Sequence, residues 1–237
     1  MNIKNKNLLI NKCYLNGTWV SSNKKIKVIN PATGELIVEV PDFGKKETVN
    51  AIDAAEHAFK TWSKFNHVTI NFSIDDLAQR FEYQRKNAKW NEVLTNIRLY
   101  KEYGKKYRVN LELRLYTTVG ILNIFYLKEF LEFMKQYEMK VMLNMVHYPH
   151  HFSVVNLPDS IKDIIKAKLQ SIEDISILEK WSPTIENVIN FMYGNKMDSV
   201  VYKRFFEKIA IHDEYRQESF RITFPEMSKL LEENEQT

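Results

Sequence analysis

The first 65 residues show a short-range alternation of apolar and polar positions that predicts small strands. These strands are predicted over residues 13–20 (a pair), 25–29 and 35–40. Asn16-Gly17 is a hairpin signal within the first pair. Pro31 fixes its own φ and Gly34 can take a positive φ, so the run Asn-Pro-Ala-Thr-Gly predicts a tight turn. Residues 47–64 then repeat apolar side chains every three or four positions, which predicts an amphipathic helix.

From residue 66 onwards, apolar strands alternate with helical stripes. The strands are predicted over 68–75, 108–118 and 140–147, and the helices between them over 89–105 and 127–137. This alternation argues for parallel βα units, whose right-handed crossovers bring the carboxyl ends of the strands to one edge. Such edges bind ligands in α/β folds.

Beyond Pro149 the pattern is helical. Helices are predicted over 157–172, 183–192 and 197–212, with a short one after Pro225. The predicted fold class is therefore α/β: a small N-terminal β-hairpin plus helix segment, then a partial (βα) barrel of about three parallel strands with C-terminal helices.

Charge divides the chain at the same point. Residues 1–65 hold ten Lys, no Arg and six acidic residues, whereas residues 66–237 hold 24 basic and 24 acidic residues. We therefore predict two segments of separate origin, 1–65 and 66–237. The net charge of +4 gives no argument for nucleic acid, and no run of 18 apolar residues predicts a membrane span. A cytoplasmic protein is expected.

The chain has one cysteine, Cys13, which lies at the start of a predicted strand and is interpreted as structural. It excludes an intramolecular disulfide and a cysteine-held metal cluster built from this chain alone.

The first segment carries a family resemblance. The runs YLNGTWV and VINPATGELIVEVPDFGKKETVNAIDAAEHAFKTW resemble the N-terminal edge of the aldehyde dehydrogenases, closest to the succinate-semialdehyde dehydrogenases. The resemblance implies an NAD(P)-dependent oxidoreductase with a Gly-rich nucleotide turn, a general-base Glu and a nucleophilic Cys far downstream. No Gly-rich turn occurs in the chain, and Cys13 is in the wrong place for the nucleophile. Dehydrogenase chemistry is therefore expected to be absent.

The second segment resembles another family. The runs INFSIDDLAQRFEYQRKNAKWNEVLTNI, TTVGILNIFYLKEFLEF, LNMVHYPHHFSVVNLPDSIK and HDEYRQESFRITFPEMSKLL are similar to the carboxyl half of twitch-domain radical S-adenosylmethionine proteins. The resemblance implies a 4Fe-4S cluster on a three-cysteine motif, which this chain lacks, and S-adenosylmethionine contacts at Ser73, Asp75 and Arg85. Asp76 departs from the family, in which a Gly is usual. No cofactor is therefore expected to bind tightly.

Each candidate site residue also has a structural interpretation. Ser73 and Asp75 form either half of a ribose site or a strand end that caps the next segment. Arg85 either meets a ligand carboxylate or forms an ion pair with Glu82 or another neighbour. Asn123 either faces a substrate or satisfies the backbone.

The same ambiguity holds further along the chain. Asn144, like Asn123, either faces a substrate or satisfies the backbone. His147, His150 and His151 either hold a metal or lie in an exposed loop, and their spacing favours the loop.

Three functional hypotheses follow. The first is a chimeric or truncated protein without independent catalysis. The second is one subunit of a split radical S-adenosylmethionine enzyme, completed by a cluster-bearing partner. The third is a scaffold that associates with itself through open sheet edges. No nucleic-acid or membrane partner is expected.

Overall fold

The computed structural model describes residues 11–15, 18–29, 34–44 and 56–233, and the chain divides into two compact units. Unit 1 comprises Met1–Asn66 and Glu102–Asn110, and unit 2 comprises His67–Lys101 and Leu111–Thr237. The predicted α/β class is confirmed, with antiparallel pairs in unit 1 and a parallel sheet in unit 2.

Unit 1 contains two antiparallel strand pairs. They are β1 (Cys13–Leu15) with β2 (Thr18–Val20), and β3 (Lys25–Ile29) with β4 (Leu36–Pro41). Gly34 has the expected positive φ of 72°. The turn residues 16–17 and 30–33, and residues 47–55 of the predicted helix, lie outside the described residues, while residues 56–62 are helical.

Aromatic packing buries Phe59 in the described part of that helix. Phe59 is 3% exposed. Its ring meets Trp62 edge-on at 4.9 Å and Tyr103 at 5.4 Å, and it stacks on Tyr107 at 6.4 Å. Such aromatic pairs add about 0.5–1.5 kcal/mol to the burial of their surface.

Unit 2 is built on a three-stranded parallel sheet in the order β5-β6-β7. The strands are β5 (Val68–Ser73), β6 (Leu111–Val119) and β7 (Lys140–Met145). The three strands form an open sheet rather than a closed barrel within the described part of the chain. Val141 also exchanges backbone hydrogen bonds with Ile177 and Glu179, each at 2.8 Å, so an isolated bridge to Leu178 covers the beginning of the outer edge of β7.

Eight labelled helices accompany the strands in the described residues: α1 (Ala78–Gln84), α2 (Trp90–Lys106), α3 (Leu127–Met134), α4 (Asp159–Gln170), α5 (Ile185–Met192), α6 (Ser199–Arg216), α7 (Phe220–Thr223) and α8 (Pro225–Glu233). Their apolar sides share one core with the sheet, which encloses Leu115, Phe130, Phe205 and Phe224. Burying each such side chain, rather than leaving it exposed, contributes about 1.5–3 kcal/mol to the free energy of unfolding.

The structure differs from the predicted pattern at several boundaries. The pattern did not predict α1. β6 begins at Leu111 rather than 108, because Arg108 takes a left-handed φ of 54° after α2. The α-helix α3 stops at Met134, and a 3₁₀ turn continues to Tyr137. Among the described residues, no helix combines the length and apolarity that crossing a bilayer requires.

Candidate functional site

The carboxyl ends of β5, β6 and β7 open onto a cleft of about 250 Å³. Parallel strands place their carboxyl ends together, and the loops that follow them supply side chains to a common site. The cleft is lined by Asp75, Tyr83, Gln84, Thr118, Gly120, Ile121, Leu122, Val146, Tyr148, Pro149, Phe152, His212 and Arg216. This cleft is the candidate ligand site of unit 2.

Asp75 lies in the cleft wall with both carboxylate oxygens engaged by the protein. Oδ1 accepts a hydrogen bond from the Thr118 backbone N–H at 2.8 Å. Oδ2 lies 2.6 Å from Nη2 of Arg85 and accepts from its Nε at 2.9 Å. The Asp75 side chain is 12% exposed, and that of Arg85 is 36% exposed. The carboxylate therefore holds the end of β5 to the end of β6.

The structure brings two of the three predicted site residues together. Arg85 pairs with Asp75, whereas Glu82 accepts from the backbone N–H of Trp90 at 2.9 Å. Ser73 is exposed at the end of β5, and neither it nor Arg85 lines the cleft. Contact of Ser73, Asp75 and Arg85 with S-adenosylmethionine stays a prediction, and the observed ion pair is the structural alternative for Arg85.

Asn123 satisfies the backbone at this edge. Its Nδ2 donates to the carbonyl oxygens of Asp75 at 2.7 Å and Thr118 at 2.9 Å. Its Oδ1 accepts from the Gly120 N–H at 2.8 Å. The side chain is buried, so the interpretation of Asn123 as a backbone-satisfying residue is confirmed. Asn144 is exposed on β7.

Gly120 allows the loop after β6 to pack tightly. A Cβ at this position would stand 2.9 Å from the Phe152 carbonyl oxygen and 3.0 Å from Cγ2 of Val146. The Ile121 N–H donates to the same carbonyl oxygen at 2.9 Å. The floor of the cleft therefore requires a residue without a side chain.

A buried ion pair supports the cleft from α1. Asp76 is fully buried, accepts from Nε of Arg80 at 2.9 Å and also accepts from the Leu77 N–H. Burial raises the pKa of Asp76 to about 6, against the opposing effect of the Arg80 guanidinium. Arg80 stacks on the Tyr126 ring at 4.1 Å and lies 3.0 Å from Glu129. This network joins α1 to α3.

Helix α6 supplies the cationic part of the cleft wall. Nη1 of Arg216 donates to the Tyr83 carbonyl oxygen at 3.0 Å. The Tyr83 hydroxyl donates to Asp213 at 2.8 Å, and burial and this bond raise the pKa of Tyr83. Burial lowers the pKa of His212, and the nearby Arg216 and Lys208 cations lower it further. The neutral imidazole is therefore favoured near neutral pH.

The three histidines after β7 have different neighbours. The His147 ring meets Phe191 edge-on at 4.9 Å, and His150 meets Tyr148 at 5.7 Å. His151 packs beside Phe152 at 4.6 Å. His147 and His150 are exposed and His151 is partly buried, as the loop interpretation predicts. In the portion of the chain that the structure describes, no three His, Cys, Asp or Glu side chains are grouped to hold a metal ion.

The cofactors implied by the two resemblances do not find their donor sets here. A 4Fe-4S cluster on a three-cysteine motif needs three thiolates, and the sequence has Cys13 alone. No Gly-rich turn is available for the phosphates of NAD(P). The oxygens of Asp75 already accept two hydrogen bonds from protein groups, and Oδ2 also forms an ion pair with Nη2 of Arg85.

Sequence reasoning missed the basic residues of the cleft, His212 and Arg216. With Arg204 and Lys208 they recur every four residues, which is a readable signal of one helix face. The sequence could not show that this face borders the loop after β7.

Comparisons with known proteins concern the N-terminal part of the chain. The model of the aldehyde dehydrogenase family matches residues 19–108, a range that runs past residue 65 to the end of α2. Succinate-semialdehyde dehydrogenase [NADP(+)] 2 of Schizosaccharomyces pombe is 51% identical over 57 residues, which is 23% of this chain and 12% of that protein.

Other relatives match to a similar extent. Glutarate-semialdehyde dehydrogenase of Pseudomonas putida is 44% identical over 64 residues, 26% of this chain and 13% of that protein. Mitochondrial succinate-semialdehyde dehydrogenase of Arabidopsis thaliana is 44% identical over 64 residues, 26% of this chain and 12% of its own. The chain therefore spans only a small part of these relatives. No solved structure matches. The N-terminal segment of this chain matches the aldehyde dehydrogenase family.

Proposed function

We propose that the chain is a chimera without catalysis of its own. Residues 1–65 are the N-terminal fragment of an aldehyde dehydrogenase, and residues 66–237 are the C-terminal half-barrel fragment of a radical S-adenosylmethionine protein. The observation that carries this proposal is that the dehydrogenase match covers only the N-terminal part of the chain and stops at residue 108. The match also extends past the proposed join into β5, α1 and α2, so it supports a fragment but not the exact position of the join. β6, β7 and α3 to α8 lie beyond it and belong to a unit with its own core.

The chemistry of the residues supports the absence of catalysis. Thiohemiacetal chemistry needs a thiolate beside an oxyanion site. Cys13 lies in β1, within a two-stranded pair, and precedes the matched range. Radical cleavage of S-adenosylmethionine needs an electron from an iron–sulfur cluster, for which this chain has one cysteine.

The decisive first experiment is to sequence transcripts across the codons for residues 50–85. A continuous transcript supports a genuine fusion, and its absence overturns the chimera as a gene product. The purified chain is then assayed for reduction of NAD(P) by succinate semialdehyde. No turnover is expected, and enzyme-dependent reduction that scales with protein concentration refutes the lack of catalysis.

The split-enzyme alternative makes a separate prediction. The full chain would bind S-adenosylmethionine through Asp75, so the ligand would raise the unfolding temperature by mass action. We expect no shift, because both carboxylate oxygens of Asp75 are already engaged. A saturable shift that Asp75→Asn removes favours the split enzyme over the chimera.

A second candidate function, a scaffold that associates with itself, is favoured by the uncovered edge of β5. No strand pairs with the outer edge of β5 in the described residues, and Thr69, Asn71 and Ser73 are exposed along it. Unpaired strand edges recruit further strands. Analytical ultracentrifugation over a range of concentrations tests this function. A Pro substitution at Asn71 should abolish association, and a strictly monomeric parent chain rejects the scaffold.

A further inference from the structure

A basic stripe runs along α6. Arg204, Lys208, His212 and Arg216 follow one another at intervals of four residues within Ser199–Arg216. Residues four apart lie nearly above one another on an α-helix, so these side chains share one side of it. Like charges at this spacing repel each other and destabilise a helix. A bound anion would relieve that repulsion.

The turn after β7 packs against this stripe and adds another basic group. The Phe152 ring stacks on His212 at 6.2 Å with an interplanar angle of 27°, and it meets Phe205 of α6 at 5.8 Å. Burial lowers the pKa of His151, and the charges of Arg204 and Lys208 lower it further. His151 therefore lies within the positive field of the stripe.

The nearby carboxylates do not neutralise the stripe. Asp213 accepts from the Tyr83 hydroxyl through Oδ1 and from the Phe220 N–H through Oδ2, each at 2.8 Å. Glu218 pairs with Lys86 at 2.7 Å. Across residues 56–233, no carboxylate forms an ion pair with the cations of the stripe. Their charge is therefore available to a ligand.

One end of the stripe forms a wall of the cleft. His212 and Arg216 line it together with the apolar side chains of Ile121, Leu122 and Phe152. The ring of Tyr148 stands at the mouth, 82% exposed. Asp75, also in the wall, has its charge balanced by Arg85 at 2.6 Å. The cleft thus offers apolar and aromatic side chains beside the positive charge of Arg216.

We propose that this cleft binds a mononucleotide. The base lies against Phe152 and Tyr148, and the phosphate meets the guanidinium of Arg216 and a hydrogen-bonding nitrogen of the neutral His212 ring. Lys208, one turn before His212 on the same side of α6 and outside the cleft lining, adds a second positive charge. A planar ring suits aromatic walls, and a phosphate accepts charge-assisted hydrogen bonds from guanidinium and ammonium groups. The volume of about 250 Å³ is small for a ligand pocket, which suits one nucleotide rather than two. This site does not depend on the ancestry of either segment.

Calorimetric titration of the full chain tests the ligand chemistry. The probes are adenosine monophosphate, adenosine and inorganic phosphate, each at low and at raised ionic strength. We expect the monophosphate to bind more tightly than either of its parts, and to lose affinity as salt rises. Equal affinity for the monophosphate and inorganic phosphate would show that the base contributes nothing to binding, and would overturn the proposal.

Matched lysine variants on α6 test the position of the phosphate. Lys208→Gln removes a cation of the stripe, and Lys203→Gln removes an exposed cation on another side of the same helix. We expect Lys208→Gln to weaken the monophosphate about five- to tenfold, the effect of one charge-assisted hydrogen bond, and Lys203→Gln to leave it unchanged. Arg204→Gln, further from the cleft, should have a smaller effect than Lys208→Gln.

Three results would overturn the proposal. The first is absence of monophosphate binding. The second is an equal loss of monophosphate affinity in Lys203→Gln and Lys208→Gln. The third is affinity for a single-stranded oligonucleotide that increases with the length of the oligonucleotide. The last result would assign the stripe to nucleic acid. The unfolding temperature of each variant is measured in parallel, and Arg216→Lys, which retains the charge and a donor for the Tyr83 carbonyl oxygen, replaces any variant that fails to fold.

Discussion

Replacement of Asn123 tests how the cleft edge is held together. The Asn123 amide connects three backbone groups: the carbonyl oxygens of Asp75 and Thr118 and the N–H of Gly120. Asn123→Ala removes all three hydrogen bonds and leaves a small cavity at a buried position. We expect the largest effect at Gly120, because its bond is the buried one of the three.

The magnitude follows from the burial of each bond. An unpaired buried N–H at Gly120 costs about 1–3 kcal/mol. The two carbonyl oxygens are only part-buried, so water can replace the amide and each loss is about 0.5 kcal/mol. The free energy of unfolding should therefore fall by about 3 kcal/mol, which lowers the unfolding temperature by about 6–12 °C for a chain of this size.

Urea unfolding followed by far-UV circular dichroism measures this loss, because most of the described helices lie in unit 2. Asn144→Ala is the matched control: it removes an exposed Asn from β7 and should change the free energy of unfolding by less than about 0.5 kcal/mol. Equal effects of the two substitutions, or a loss at Asn123 below about 1 kcal/mol, would refute the reasoning.

Three further predictions concern the same unit. Gly120→Ala should lower the free energy of unfolding by about 1–3 kcal/mol in urea titrations, because its Cβ would stand 2.9 Å from the Phe152 carbonyl oxygen. The folded pKa of Asp76, about 6, exceeds the unfolded value, so the free energy of unfolding should fall by about 2 kcal/mol as pH rises from about 4 to about 6, and Asp76→Asn should remove this slope in urea titrations across that range. Tyr126→Phe should cost about 1–2 kcal/mol in thermal unfolding, because the hydroxyl bonds to α8 at 2.9 Å and 3.3 Å.

Periodicity was sufficient to predict the strands of unit 2 because alternate side chains are buried. On β6, Leu113, Leu115 and Thr117 point into the core, while Thr118 is exposed. The same physics predicted that Asp75 lies at the carboxyl edge. A two-residue period thus contains most of the information that positions the cleft.

The contacts around Asp75 were less accessible to sequence reasoning because α1 was missed. This helix has seven residues, its N-cap is Leu77 without a capping side chain, and Ala78 has a positive φ of 48°. None of these features gives the usual start signal. Without α1, the sequence left Arg85 free to pair with Glu82 or a ligand, whereas in the structure it pairs with Asp75.

The proposed join near residue 65 does not coincide with the end of unit 1, because Phe59 packs on residues from beyond it. Phe59 packs on Tyr103 and Tyr107, and Glu56 accepts from the Tyr107 hydroxyl at 2.6 Å and from Nζ of Lys106 at 3.1 Å. These contacts all lie within unit 1, which takes in Glu102–Asn110. A chain cut at residue 65 would expose Phe59, so the proposed dehydrogenase fragment depends on the other segment for its core. The proposed fragment 1–65 is therefore not self-contained in this structure, and the residues that cover Phe59 lie within the range of the dehydrogenase match.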